Sequence, residues 1–344
     1  MEFLFEYGLF LAKAITLVVA IAAVIVIAAI SSKSGKANKG SLTVHDISDK
    51  FEDYKSQLQQ QLLSDDQLKA LTKADKAAAK AKRKQDKEQH KDQANARQGR
   101  LFVIDFKAGI DAAEVSNLRE EITALLTVAE AQDELLVRVE SGGGMVHAYG
   151  LAASQLDRVR QAQIPMTISV DKVAASGGYM MACVANKVIA APFAIVGSIG
   201  VIAQLPNFSK VLKKNDIDFE MHTAGEYKRT ITMFGENSDE ARAKFKQELE
   251  HTHGLFKQFV SKYRPELEIS KVATGEHWFG QQALELGLVD AIQTSDDYLM
   301  QTDKPILQLQ YQLKQTLAKR LGKGAEAVIE RSMMKLAELG QIKR

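Results

Sequence analysis

Cysteine is almost absent. Cys183 is the one thiol in 344 residues, so no internal disulfide framework exists. It sits in the apolar run Tyr179-Met-Met-Ala-Cys-Val-Ala185, which reads as a buried structural thiol rather than a nucleophile. An excess of charge of either sign is missing as well: 45 Lys and Arg against 43 Asp and Glu leave a net +2, with no overall acidic or basic bias. Large apolar side chains are nearly lacking from Lys73-Ala-Asp-Lys-Ala-Ala-Ala-Lys80-Ala-Lys-Arg-Lys84 through the charged run to Arg97, so this stretch cannot bury a core. A solvated helix or a disordered tether is expected there. Stacking aromatics are missing from it and acids are interleaved with the bases, so a solvated spacer is the expectation, anionic lipid headgroups are the favoured partner, and a nucleic-acid-binding tether over residues 65–98 is the weaker alternative. His251 and His253 are two residues apart and fall on different faces of a helix, so metal ligation is not expected of them.

The chain opens on an apolar stretch. No charge occurs from Ile15 to Ile30, and with Tyr7-Gly-Leu-Phe-Leu-Ala12 upstream the run is long enough to cross a bilayer as a helix, Lys13 snorkelling near its end. Glu2 and Glu6 stand where a cleaved signal peptide carries positive charge, so a retained anchor is expected: residues 1–32, with residues 9–30 in the lipid. Residues 33–99 then form a charged helical or disordered linker. Lys33, Lys36 and Lys39 follow the anchor and favour a cytoplasmic placement of what comes after.

From residue 100 to about 300 the pattern is that of an α/β domain. Leu101-Phe-Val-Ile-Asp-Phe106 and Leu135-Leu-Val-Arg-Val-Glu140 read as strands, and Val115, Leu118, Ile122 and Leu125 recur between them at helical spacing, implying a parallel pair. A helix from about Met145 to Gln161, a strand Met166–Val170 and an apolar helix after Ser176 repeat the unit. The chargeless stretch Val188–Ser209 is interrupted by Pro192, Gly197, Gly200 and Pro206 and reads as buried strand and turn, not a second membrane span. A long amphipathic helix is expected over Asp239–Tyr263, and residues 301–344 read as a basic amphipathic tail.

Two residues stand out chemically. Ser176 follows small residues and precedes two glycines, a setting in which the backbone passes close to a substrate and amide hydrogens can face developing negative charge. Lys228, in Gly225-Glu-Tyr-Lys-Arg229, follows the strand-like run Phe219–Thr223. A lysine takes a proton from a hydroxyl only when neutral, and lowering its pKa from about 10.4 to near 7 or 8 demands burial. On residue type alone Lys228 is a surface charge beside Arg229. His147 and His222 are the alternative bases for Ser176.

Ser141-Gly-Gly-Gly-Met145, Val173-Ala-Ala-Ser-Gly-Gly-Tyr179, Val196-Gly-Ser-Ile-Gly200, Gly225-Glu-Tyr-Lys228 and Thr274-Gly-Glu-His-Trp-Phe-Gly-Gln-Gln-Ala283, followed by Gly287-Leu-Val-Asp290, resemble in order and spacing the signal peptide peptidase A (protease IV) family. The resemblance covers residues 100–292. It implies an α/β fold of the ClpP/crotonase type, a β-β-α superhelix, and an inner-membrane serine endopeptidase acting on signal peptides or unfolded proteins without metal or cofactor. By the same resemblance Ser176 is the nucleophile, Lys228 the general base and Ser198 the serine that orients the lysine. The turn Gly142, Gly143 and Gly144 binds substrate, and the amides of Gly143 and Gly177 form the oxyanion hole. Gly142 departs from the family's proline and gives the turn more backbone freedom. Family members form rings, so a homo-oligomer is implied, and some carry the catalytic domain outside the cytoplasm, against the local charge pattern. A catalytically silent membrane scaffold and an acyl-CoA-processing crotonase relative are the other readings of the same fold.

Overall fold

The computed structural model describes Gly8, residues 40–92 and residues 99–313. The expected membrane anchor and nearly all of the expected tail lie outside the described residues. Among the described residues no helix is long and apolar enough to cross a membrane. The chain divides into residues 42–311 and a second unit of residues 1–41 with 312–344; the first carries the architecture.

The main sheet has seven strands in the order β1-β10-β2-β3-β4-β6-β9. These are β1 (Ser41–Asp46), β2 (Leu101–Lys107), β3 (Glu134–Glu140), β4 (Met166–Val170), β6 (Lys187–Ala190), β9 (Ala291–Ile292) and β10 (Ile306–Gln312). From β10 to β9 every neighbouring pair is parallel. A second sheet holds β5 (Val173–Ala175), β7 (Ile195–Gly197) and β8 (His277–Phe279). The helices are α1 (Ile47–Leu62), α2 (Asp65–Asp92), α3 (Val115–Val128), α4 (Val146–Gln161), α5 (Gly177–Ala182), α6 (Ser209–Lys214), α7 (Asp239–Tyr263), α8 (Ile269–Val272), α9 (Gly280–Glu285) and α10 (Ser295–Gln301).

Strand alternation divides the core. On β2, Phe102, Ile104 and Phe106 enter the large cluster with Leu118, Ile122 and Leu125 of α3 and Tyr149, Ala152 and Leu156 of α4. Leu101 and Val103 point the other way, into a smaller cluster with Ile47, Leu136, Leu299 and Ile306. A parallel strand buried on both faces reads as a near-continuous apolar run, which is why 101–106 is so legible. The β2 entrance is fixed by Asp133, almost fully buried, whose carboxylate takes the Arg100 amide at 2.7 Å and its guanidinium at 2.6 Å. Burial pushes that carboxyl up, but the Arg100 and Glu130 hydrogen bonds outweigh it and hold the group below its ordinary range.

Two expected boundaries move. Residues 41–46 form a strand of the main sheet, and Ile47 at the start of α1 is buried in the smaller cluster, so the fold begins inside the expected linker. Asp46 caps α1, accepting from the Ser48 amide at 2.8 Å. At the other end, Ile306–Leu309 pair with Leu101–Ile104, so the domain runs past residue 300 and the first part of the expected amphipathic tail is strand β10. Tertiary pairing overrides a short ambiguous apolar pattern. Within the charged run, Asp65–Asp92 form helix α2.

The end of β10 is held by Glu121 of α3, whose carboxylate accepts the Tyr311 amide at 2.7 Å. Burial pushes this carboxyl up to about 7, with the Asp105 carboxylate acting in the same direction and the Tyr311 hydrogen bond opposing. An acid whose folded pKa lies above its unfolded value favours folding at low pH and loses that stability as pH rises from about 4.5 to about 7. Glu121→Gln keeps the carbonyl acceptor without the charge. It is expected to leave urea stability unchanged at pH 5 and to raise it by on the order of 2 kcal/mol at pH 8; equal pH slopes for variant and wild type would contradict the burial argument.

Candidate active site

The nucleophile candidate lies on a strained elbow. Strand β5 ends at Ala175 and α5 begins at Gly177, leaving Ser176 between them at φ 53° and ψ −116°, a conformation L-residues avoid. The strain is held by pairing on both sides. The Ser176 amide donates to Gly197 O at 2.8 Å, and its carbonyl accepts from Met180 of α5 at 2.9 Å. Parallel pairing of β5 with β7 sets Ala175 opposite Gly197, so Ser176 and Ser198 leave adjacent strands side by side.

Ser198 is also held in the left-handed region, at φ 51°. Its amide donates to Glu276 O at 2.7 Å and its hydroxyl to Gly275 O at 3.4 Å, both from the Thr274-Gly-Glu-His-Trp-Phe segment leading into β8. His253 of α7 reaches Ile199 O at 3.1 Å, fastening the residue after Ser198. Sequence reasoning gave neither the 275–276 carbonyls nor His253 a role. The motif around Trp278 was the available signal, though backbone acceptors leave no trace in residue identity.

The glycine turn arrives from β3. Ser141 is laced to β5 by its amide to Val173 O at 2.8 Å and its carbonyl to Ala175 N at 3.0 Å. Gly143 lies directly over the elbow at φ 87°, where an added Cβ would stand 2.7 Å from the Ser176 Cβ and 2.6 Å from the Gly177 nitrogen. Ser176, Ser198, Gly143 and Gly177 are thus brought together. The Gly143 amide, however, donates to the Ser141 hydroxyl at 3.1 Å and does not face the elbow as an open donor. The Gly144 amide has no acceptor among the described residues, and the Gly177 amide, first in α5, has none inside its helix.

Lys228 is not brought in. It is exposed, its backbone amide bonds Gly225 O at 3.2 Å, and its amine has no hydrogen bond to Ser176 or Ser198. The expected burial is therefore not met within one protomer, and the run Phe219–Thr223 is irregular rather than a strand. The reason is visible in the segment itself. From residue 201 to 236 only α6 is regular, and Ile202, Leu205, Phe208, Val211, Ile217 and Phe219 are all exposed, so no core draws the lysine inward. Neither histidine alternative fares better: His222 is exposed beside Glu220, and His147 is exposed with no bond to Ser176. Cys183 is fully buried and its thiol is pushed up to about 12 by that burial, an inert structural group.

Comparison with known proteins gives a consistent picture. The family described as Peptidase family S49 N-terminal matches residues 2–156, and that described as Peptidase family S49 matches residues 158–308. The probable protease SohB of Haemophilus influenzae is 48% identical over 94% of this chain and 94% of its own length. The probable protease SohB of Buchnera aphidicola subsp. Schlechtendalia chinensis is 48% identical over 87% of this chain and 99% of its own. Among solved structures, a membrane-bound stomatin-specific protease superposes with a TM-score of 0.42 and 12% identity, over 62% of this chain and 98% of that one.

Packing over the elbow makes opposite demands on two neighbouring glycines of the turn. Gly143→Ala combines a positive φ with a backbone clash and is expected to cost about 1–3 kcal/mol in urea unfolding and to abolish peptidase activity. Gly142→Ala meets nothing within 4 Å and is expected to change stability by less than about 1 kcal/mol. Equal tolerance of the two substitutions would show that the turn does not need its observed geometry.

Proposed function

The chain belongs to peptidase family S49 and is a protease of the SohB type, and from that premise we propose that it is a membrane-anchored serine endopeptidase working through a Ser176–Lys228 dyad. The observation that carries this reading is the rung shared by Ala175 and Gly197, which sets Ser176 and Ser198 next to each other beside the glycine turn. A peptide lies extended along residues 142–144 and presents its carbonyl carbon to Ser176 Oγ. Lys228 Nζ, held by the Ser198 hydroxyl, takes the proton from Ser176 as the acyl-enzyme bond forms, and returns it to the leaving amine. Water then hydrolyses the ester by the same base. We assign the oxyanion to the amides of Gly177 and Gly144, the free donors of the elbow and turn, with Gly143 as their close-packed support. Signal peptides and unfolded or membrane proteins are the proposed substrates.

An amine in open water stays protonated at neutral pH, so an exposed Lys228 needs a cover before it works as a base. The apolar side chains around it on residues 201–236 suit contact with another copy of the chain, and we propose that a homo-oligomer provides that cover. The anchor at residues 9–30 holds the protein in the inner membrane. A second reading, a catalytically silent scaffold of the same fold, draws its support from the exposure of Lys228.

The test uses full-length protein in detergent, with unfolded casein and a signal-peptide mimic, from pH 6 to 10. Ser176→Ala and Lys228→Ala are each expected to lower kcat/KM by roughly a thousandfold or more, and wild-type activity to climb into the alkaline range as the lysine deprotonates. A plateau near pH 7 would point to a histidine base. Equal cleavage by wild type and both variants would remove the dyad, and a wild type as inert as its variants would favour the scaffold.

A further inference from the structure

Beneath the glycine turn runs a buried relay that none of the proposed steps uses. Tyr149 of α4 is fully buried, and its hydroxyl lies 2.7 Å from Gly109 O and in very short contact with the Ser141 hydroxyl, which accepts the Gly143 amide at 3.1 Å. The directions are fixed by counting hydrogens. A carbonyl oxygen only accepts, so at 2.7 Å Tyr149 must donate to Gly109. Its one proton is then spent, and Ser141 must donate to the Tyr149 oxygen. That leaves a Ser141 lone pair facing the Gly143 N–H, with Ala108 O at 3.5 Å as the more distant second acceptor for the Tyr149 proton. Burial, assisted by the carboxylates of Glu114 and Asp111, raises the phenol above its ordinary range despite the Ser141 bond, so Tyr149 keeps the proton it donates.

The same side chain supports the other half of the site. An added Cβ on Gly177 would stand 2.3 Å from Cγ of the Tyr149 ring, so ring and elbow backbone are in direct contact. Tyr149 therefore touches Gly177 by packing and sets the Gly143 peptide through Ser141. The Ser141 bond fixes the peptide plane entering Gly143, and Gly143 itself is held at φ 87° against the Ser176–Gly177 backbone, so bond and packing together restrict the plane that carries the Gly144 N–H. Gly142 has nothing within 4 Å of an added Cβ, and the side-chain bond from Ser141 restrains the turn there.

We propose that Ser141 and Tyr149 are positioning residues that aim the Gly144 and Gly177 amides at the oxyanion of the peptide-cleavage step. This rests on the Ser176 acyl-enzyme reading above. Neither side chain touches substrate. Their effect is on the angle of two backbone donors, so it is felt in the transition state more than in substrate binding.

The experiment uses full-length protein in detergent, cleavage of a fluorogenic peptide, and titration of active Ser176 with a fluorophosphonate so that rates are per folded site. Tyr149→Phe keeps the ring against Gly177 and removes only the hydroxyl. Ser141→Ala removes the other link. Each is expected to lower kcat roughly 10- to 100-fold per titrated site with KM within about twofold. The double variant is expected to be no slower than the slower single, because one broken link already frees the turn. A peptide boronate, whose tetrahedral adduct places an oxygen in the hole, should lose inhibition by the same factor. Should Ser141→Ala fail to fold, Tyr149→Phe alone decides. A Tyr149→Phe kcat per titrated site within twofold of wild type, or a loss confined to KM, would overturn the proposal while leaving the nucleophile assignment standing. Cleavage by Ser176→Ala equal to wild type would instead remove the reading on which it rests.

Discussion

The pairing of β5 with β7 is the constraint on which the site depends. Those two strands have three residues each, and their last rung, Ala175 against Gly197, sits one residue before both candidate serines. Two unfavourable conformations follow it at once, Ser176 at φ 53° and Ser198 at φ 51°. Neither is affordable in a free loop, where each costs on the order of 1–3 kcal/mol. Here the Ser176 amide is spent on Gly197 O, the Ser198 amide on Glu276 O and the Ser141 carbonyl on Ala175 N, so relaxing either serine breaks ladder bonds in a buried sheet. Strain is kept because the surroundings leave no cheaper arrangement.

That dependence explains why distant stretches of sequence act as one unit. The glycine turn after β3, the elbow after β5, the turn after β7 and the segment entering β8 are joined largely by backbone donors and acceptors, around a few serine hydroxyls. Backbone donors and acceptors are indifferent to residue type except where a Cβ would intrude. Glycine is therefore the visible residue of the arrangement, at Gly143 over the elbow and at Gly177 against Tyr149.

Much of the fold was legible because its physics is local. Residues 101–106, 135–140 and 166–170 are apolar runs of strand length, and the apolar positions of α3 recur at helical spacing, so sheet and helix could be told apart by period. Helix α7 was readable to its ends, with Ser238 capping its first turn through the Ala241 amide at 3.1 Å. What escaped was long-range. Strand β10 pairs with a partner some 200 residues earlier, and β1 joins an edge from within a stretch dominated by charge. Ser176, Ser198 and the glycines were legible as motifs. The direction of the Gly143 amide was not, since it turns on the hydroxyl two residues before it, and nothing in residue order announces that Tyr149 lies beneath both.

Lys228 differs from these residues in kind. The serines and glycines are placed by a core that one protomer completes, whereas the lysine belongs to a segment whose apolar side chains have no core to enter. On the proposed dyad, the base is thus carried on the part of the chain least able to dry itself. This separation has a physical advantage for a protease. On the proposed dyad, a lysine left outside the core does not activate Ser176, so the strained elbow and its donors form during folding without a competent nucleophile beside them. Covering the segment from 201 to 236 would remove apolar surface from water and desolvate the amine in one event, tying the free energy of association to the proton affinity of the base. On this argument the exposed apolar residues and the exposed lysine are one feature.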